Sequence, residues 1–247
     1  LLFFSTLSWA GQLHSALSFG DDYDHLIRSA MDRLGIEFGL SVAVVHDDSL
    51  LFDGYYGNAD IETGREVTPN TEFYIASSTK SLTALAALLL EEKGVLDFNK
   101  SLADYFPEIS FNPEIEADSI YIPDLLSHTS GITNFPLVLL TAFTGDYDMT
   151  RLEKVIAESE PNTKAPRGTF DYTNVGYVIV GRIMERETGT SWQDILHDEI
   201  FEPLGMTQTS CYMSDISENG WPFAEPHSVT SQPGKTINTH FRKIDKT

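Results

Sequence analysis

Apolar positions recur at helical spacing through Asp21 to Leu34, where Leu26, Ile27, Ala30, Met31 and Leu34 share one face, and Gly35 supplies the stop. Leu40 to Val45 and Leu50 to Tyr55 then read as two strands flanking the turn His46-Asp47-Asp48-Ser49, and Thr71 to Ile75 as a third short extended piece. From Ser78 to Leu90 nearly every face beyond Lys80 is apolar, which predicts a central, buried helix closed by Glu91-Glu92-Lys93-Gly94. Beyond it the chain is rich in prolines, with further helices predicted near Asp124 to Ser127, Asp148 to Ser159 and Val175 to Thr188. Another should run to Ile200, capped by Ser191 with Asp194 three residues on. Asn219 to Thr247 is polar and aperiodic, so it reads as loop or as the stub of something longer.

The two ends of the chain need separate treatment. Leu1 to Ser18 is apolar and uncharged, with a small-x-small step at Ser8-Trp9-Ala10, and fits either a signal peptide of an exported protein or an N-terminal buried helix. The remainder, 19–247, reads as one domain with a local subdivision. No later segment is long and apolar enough for a membrane span.

A formal charge of -21 repels phosphate backbones and anionic lipid alike, which argues against a nucleic-acid partner. Cys211 is the only cysteine, so neither an intrachain disulfide nor a Cys-based metal site is available. His-Glu-x-x-His, Gly-x-Ser-x-Gly, Walker and dinucleotide patterns are all absent, and His197-Asp198-Glu199 reads as the wet face of a helix.

Chemistry concentrates at Phe73-Tyr-Ile-Ala-Ser77-Ser-Thr-Lys80, the one Ser-x-x-Lys in the chain. It puts a hydroxyl at the start of the apolar helix and an amine one turn on, on the same face. A serine hydroxyl becomes a useful nucleophile once a neighbouring base takes its proton, and a helix N-terminus favours negative charge on the attacked oxygen. The competing reading makes Ser77 a helix cap and Lys80 a surface residue. A second cluster, Tyr172-Thr-Asn174, stands at a loop-helix junction from which phenol and amide can face one cleft; the bland alternative is a core tyrosine with an Asn cap. Tyr56-Gly57-Asn58 repeats that spacing at a strand end and reads as a turn.

Ile75-Ala-Ser-Ser-Thr-Lys, Ile122-Pro-Asp-Leu-Leu-Ser-His-Thr-Ser-Gly-Ile132, Tyr172-Thr-Asn and Pro203-Leu-Gly-Met-Thr-Gln-Thr209, in this order and spacing, resemble the serine β-lactamase-related, penicillin-binding-protein-like family. This is the superfamily of class C β-lactamases, D-alanyl-D-alanine carboxypeptidases and esterases. The resemblance covers Asp21 to Thr209. It implies an α/β fold of the α+β kind: a β-lactamase/transpeptidase-like antiparallel sheet flanked by helices, plus a helical lobe. It implies a serine hydrolase forming an acyl-enzyme on a β-lactam, ester or D-amino-acid peptide, with Ser77 as nucleophile, Lys80 as its hydrogen-bonded partner, Tyr172 as proton shuttle and Asn174 as a ligand of substrate and lysine. His128 and Ser130 are expected to shape a loop. The partner is a small-molecule or peptide substrate, and no metal or organic cofactor is implied.

Lys80 and Tyr172 are both open as the base; ionising a phenol at neutral pH takes about 4 kcal/mol of differential stabilisation. In the family a Lys/His-Thr/Ser-Gly motif on a cleft strand helps. Here Lys235-Thr236 is followed by Ile237 and Lys246-Thr247 ends the sequence, so the expectation is a chain lacking that motif and the C-terminal strands. Losing the oxyanion donor on that strand would cost about 3 kcal/mol. The rival from another class is a noncatalytic scaffold or binding relative, or an inactive fragment.

Overall fold

The computed structural model describes residues 7–141, 148–229 and 236–238, with backbone alone for 7–19, 227–229 and 236–238. These residues form two compact units, one built from residues up to Tyr74 together with those from Asp215, the other from Ile75 to Ser214.

The first unit opens on helix α1 (Leu7–Leu34), ended by Gly35 at φ +64°. The helix begins well before the expected Asp21, because residues 7–20 contain no proline and nothing in them stops propagation. Strands β1 (Leu40–His46) and β2 (Ser49–Tyr56) form the expected antiparallel hairpin around Asp47-Asp48. Asp47 takes φ +50°, a conformation that Asp and Asn tolerate in tight hairpin turns. Strands β3 (Asn58–Asp60) and β4 (Arg65–Glu66) pair next. Tyr56 is buried and donates to Asp24 Oδ1 at 3.0 Å, so the Tyr56-Gly57-Asn58 repeat is structural. A Cβ on Gly57 would lie 2.3 Å from the Phe38 carbonyl oxygen, which is why glycine stands there. The expected extended piece Thr71 to Ile75 is reduced to one bridge, Glu72 to Phe223.

The second unit begins with a 3-10 turn, Ala76–Ser78, leading into α2 (Thr79–Glu92), with Gly94 at φ +72° beyond its end. Only one stripe of α2 is buried: Thr83, Ala86, Ala87 and Leu90. The expectation of burial on all sides is corrected by Leu88, 52% exposed, and Leu85, 40% exposed. Helix neighbours reach α2 on one face, and an i, i+3, i+4, i+7 stripe is as much as one face can cover.

Helices α3 (Leu102–Tyr105) and α4 (Ile122–Leu126) follow, then strand β5 (Ile132–Thr133) and helices α5 (Phe135–Leu139) and α6 (Met149–Ala157). Strand β6 (Glu160–Pro161) pairs with β5, and α7 (Val175–Thr188) is the central helix. Val175, Ile179, Val180, Ile183 and Met184 of α7 are all nearly or fully inaccessible, packed with Phe106, Leu125 and Leu196 into one cluster. Each such side chain contributes about 1.5 to 3 kcal/mol by leaving water. Ser191 caps α8 (Trp192–Leu196) as expected, accepting from the Asp194 N–H, but the helix passes into a π turn, His197–Phe201, before Ile200. His197 and Asp198 are exposed there, as the sequence implied.

Helix α9 (Met213–Asn219) comes next, and β7 (His227–Val229) pairs with β8 (Thr236–Asn238), so part of the polar tail is a hairpin. Strand pairing is antiparallel and two-stranded throughout the described residues, which fits the α+β class with helices dominant. No helix among them is long and apolar enough to cross a membrane.

One buried polar group knits the helical unit together. Asn134 accepts from the Leu137 N–H at 2.9 Å, capping α5, and donates to the Val155 carbonyl at 2.7 Å and Ser159 Oγ at 3.0 Å. Asn134→Ala is expected to lower unfolding free energy by about 2 kcal/mol, since partners are left buried without bonds; urea denaturation of both proteins measures it.

Candidate active site

Ser77 lies in the turn leading into α2, and its hydroxyl is exposed at the head of that helix. The residue before it, Ala76, has φ +46°, a left-handed conformation costing an alanine about 1 kcal/mol or more. Ser77 makes no capping bond: the N-cap position of α2 belongs to Ser78, also without a side-chain cap. The helix-cap reading of Ser77 therefore fails.

Lys80, half-buried one turn later, donates from Nζ to Ser77 Oγ at 3.1 Å. The same ammonium stands 5.0 Å from the centroid of the Tyr172 ring and 5.6 Å from that of Tyr177. Two aromatic faces thus help hold a cation that a helix so apolar would otherwise leave costly to bury.

Tyr172, 54% exposed, is placed by the loop that enters α7. Hydrogen bonding to Lys80, and secondly to Ser77, holds its phenol below the ordinary tyrosine value against the opposing effect of burial. Tyr177, one turn into α7, donates to the Leu126 carbonyl at 3.0 Å, and burial first and Tyr172 second push it up. Of two neighbouring phenols, the one beside Lys80 and Ser77 is thus the easier to ionise.

Asn174 occupies the N-cap position of α7, yet its side chain makes no capping bond, and its Oδ1 is buried without a partner. The bond to Lys80 implied by the resemblance is not formed. Gly176 explains how this corner closes: α7 runs so near α4 that a Cβ there would lie 2.4 Å from the Leu125 carbonyl oxygen.

His128 is the residue that sequence reasoning undervalued. Its ring contacts Tyr172, Tyr177 and Phe170 at centroid distances of 4.7, 5.3 and 5.8 Å. Burial, and then Lys80, hold its pKa below the ordinary 6.5. As pH falls through about 6.5 the unfolded chain takes up this proton before the folded chain does, so stability should decline with acidification below that point. The melting temperature followed from neutral to acidic pH should show a component missing from His128→Asn. The motif in which His128 stands, and Tyr177 three residues after Asn174, were the signals available. Ser130 is buried, in keeping with the loop-shaping role expected of it.

Comparison with known proteins bears on the family and the fold. The Beta-lactamase family model matches residues 24–220. The unguisins hydrolase of Aspergillus campestris is 29% identical over 236 residues, covering 86% of this chain and 40% of that protein. Among solved structures, the octameric penicillin-binding protein homologue from Pyrococcus abyssi matches with TM-score 0.70 and 25% identity over 88% of this chain and 50% of its own. FmtA from Staphylococcus aureus matches in fold with TM-score 0.71 and 24% identity, over 90% and 58% of the two chains. The fold and its match across most of the sequence define a β-lactamase/transpeptidase-like protein. This chain belongs to the Beta-lactamase family, a family of serine hydrolases, and it spans about 40% of the length of the curated relatives it matches.

Proposed function

We propose that this chain carries acyl-transfer chemistry, hydrolysing an ester, a β-lactam or a D-amino-acid peptide through an acyl-enzyme on Ser77. The observation that carries the proposal is the 3.1 Å bond from Lys80 Nζ to Ser77 Oγ, with the Tyr172 ring 5.0 Å from the same ammonium. Ser77 Oγ attacks the acyl carbonyl and its proton leaves to the Tyr172–Lys80 pair. That Lys80 bonding lowers the pKa of Tyr172 supports the phenol as the group that takes the proton and returns it to the leaving alcohol or amine. The Ser77 N–H and the N-terminal end of α2 favour the oxyanion. Water then attacks the ester so formed, frees the acid and restores the serine proton.

Asn174, at the head of the same helix that Tyr172 precedes and with an Oδ1 that no protein group satisfies, is the residue assigned to hold substrate. The test is intact mass after incubation with a β-lactam and, separately, with an activated p-nitrophenyl ester. An acyl adduct with either reagent, or turnover, supports the proposal and ranks the substrate classes. No adduct and no turnover in folded protein would contradict it and leave a noncatalytic relative of the family.

A further inference from the structure

Tyr172 is 54% exposed, and the backbone on both sides of it is tied to one residue on another segment. The backbone N–H of Asp171 donates to the His128 carbonyl at 2.9 Å, and that of Thr173 donates to His128 Nδ1 at 3.3 Å. The residues on either side of the phenol are therefore both tied to His128, whose ring also packs on the Tyr172 face at 4.7 Å. His128 adopts φ +61° to do this, a left-handed conformation uncommon outside glycine that histidine shares with asparagine and aspartate more readily than other residues. An Nδ1 that accepts a hydrogen bond carries no proton, so the ring is the neutral Nε2–H tautomer.

We propose that His128 is the positioning residue of Tyr172: it holds the 171–173 segment so that the phenol meets Lys80 and Ser77, and a proton arriving at Nδ1 releases it. Protonation sets N–H against N–H at Thr173 and adds a second cation beside Lys80. The surrounding groups leave that cation little compensation. Lys80 faces it from α2, and Tyr172 and Tyr177 face it from the loop and from α7. Asp124 at the start of α4 is paired with Arg167 at 3.3 Å, and the Asp171 carboxylate accepts from Asn162 at 2.6 Å. Both nearby carboxylates are thus engaged elsewhere.

Two substitutions separate positioning from bulk. His128→Asn tolerates the left-handed backbone and offers an amide oxygen near the place of Nδ1, but cannot titrate. His128→Leu keeps volume and loses the acceptor. Each is compared with wild type, after circular dichroism shows it folded, by two readouts. One is the pH profile of p-nitrophenyl ester hydrolysis between about pH 5 and 9. The other needs no activity: the tyrosinate absorbance transition of Tyr172, isolated by subtracting the matching Tyr172→Phe protein.

Besides the acid limb that Tyr172 itself gives as the base, wild type is expected to show a further loss of rate on acidification that His128→Asn lacks, the variant keeping its plateau rate within about threefold. His128→Leu should lower kcat by about 10- to 100-fold with KM little changed, because a phenol displaced by about an ångström no longer reaches Ser77. Its Tyr172 transition should rise toward that of an ordinary tyrosine. A folded His128→Leu protein with the wild-type Tyr172 transition overturns the inference, as does a His128→Asn protein whose rate falls on acidification just as that of wild type does. The kinetic arm rests on the proposed hydrolase function. If wild type turns over no ester, that function is contradicted, and the absorbance arm still decides whether His128 holds Tyr172. Should His128→Leu fail to fold, His128→Gly, which tolerates the left-handed backbone and carries no acceptor, decides: a rise of the Tyr172 transition toward the ordinary value supports the acceptor's role, and a transition unchanged from wild type overturns it.

Discussion

Ser77→Ala is expected to reduce ester hydrolysis by at least about a thousandfold, to the rate given by binding and dipoles alone. The Oγ that accepts from Lys80 at 3.1 Å stands in the turn that leads into α2, within reach of the ammonium that also faces the Tyr172 ring. Removing it takes away a bond-forming atom, for which no rearrangement of neighbours substitutes. Stability should hardly change, since Ser77 is exposed and caps nothing, so melting temperatures of the two proteins serve as the control. Steady-state release of p-nitrophenol measures the rate. A variant within about tenfold of wild type would move the nucleophile elsewhere.

Gly176→Ala carries the second large effect, this time on the fold. A methyl there meets backbone, the Leu125 carbonyl oxygen at 2.4 Å and its carbon at 3.0 Å, so no side-chain rotation relieves the clash. Helix α7 must move away from α4, opening the cluster around Ile179, Leu125 and Ile183. Overpacking of this kind costs about 1 to 3 kcal/mol, against which the better helix propensity of alanine returns at most about 1 kcal/mol. Because Tyr172 and Asn174 stand at the N-terminus of the helix that moves, activity should fall along with the denaturation midpoint. Equilibrium unfolding in urea checks the first and the ester assay the second.

Much of this architecture was legible from periodicity and punctuation. The bounds Val175 to Thr188 were readable to the residue, since a loop-helix junction with asparagine and a terminal glycine mark both ends. The β1-β2 hairpin was readable for a similar reason: alternating strands flank a turn of aspartates. Ser77, Lys80 and Tyr172 come together as residue spacing and the family resemblance required.

What escaped was set by tertiary geometry. The apolar run from Ala84 to Leu90 in α2 gave no means of telling that Leu85 and Leu88 stand exposed, because composition does not say how many faces find neighbours. Ala76 holds a left-handed backbone that its residue type does not announce. The part of His128 in the site depends on contacts between a segment near 128 and another near 172, a separation no local pattern spans. The free Oδ1 of Asn174 likewise appears only once α7 is docked.

The central claim is that Ser77 is the atom acylated. Peptide mapping by tandem mass spectrometry, after brief reaction with an activated p-nitrophenyl ester and acid quenching, tests it most directly. The account predicts one acyl group, on the peptide containing Ser77 and absent from the Ser77→Ala protein. An acyl group found instead on Lys80, Tyr172 or another hydroxyl, or labelling that survives Ser77→Ala, would contradict it.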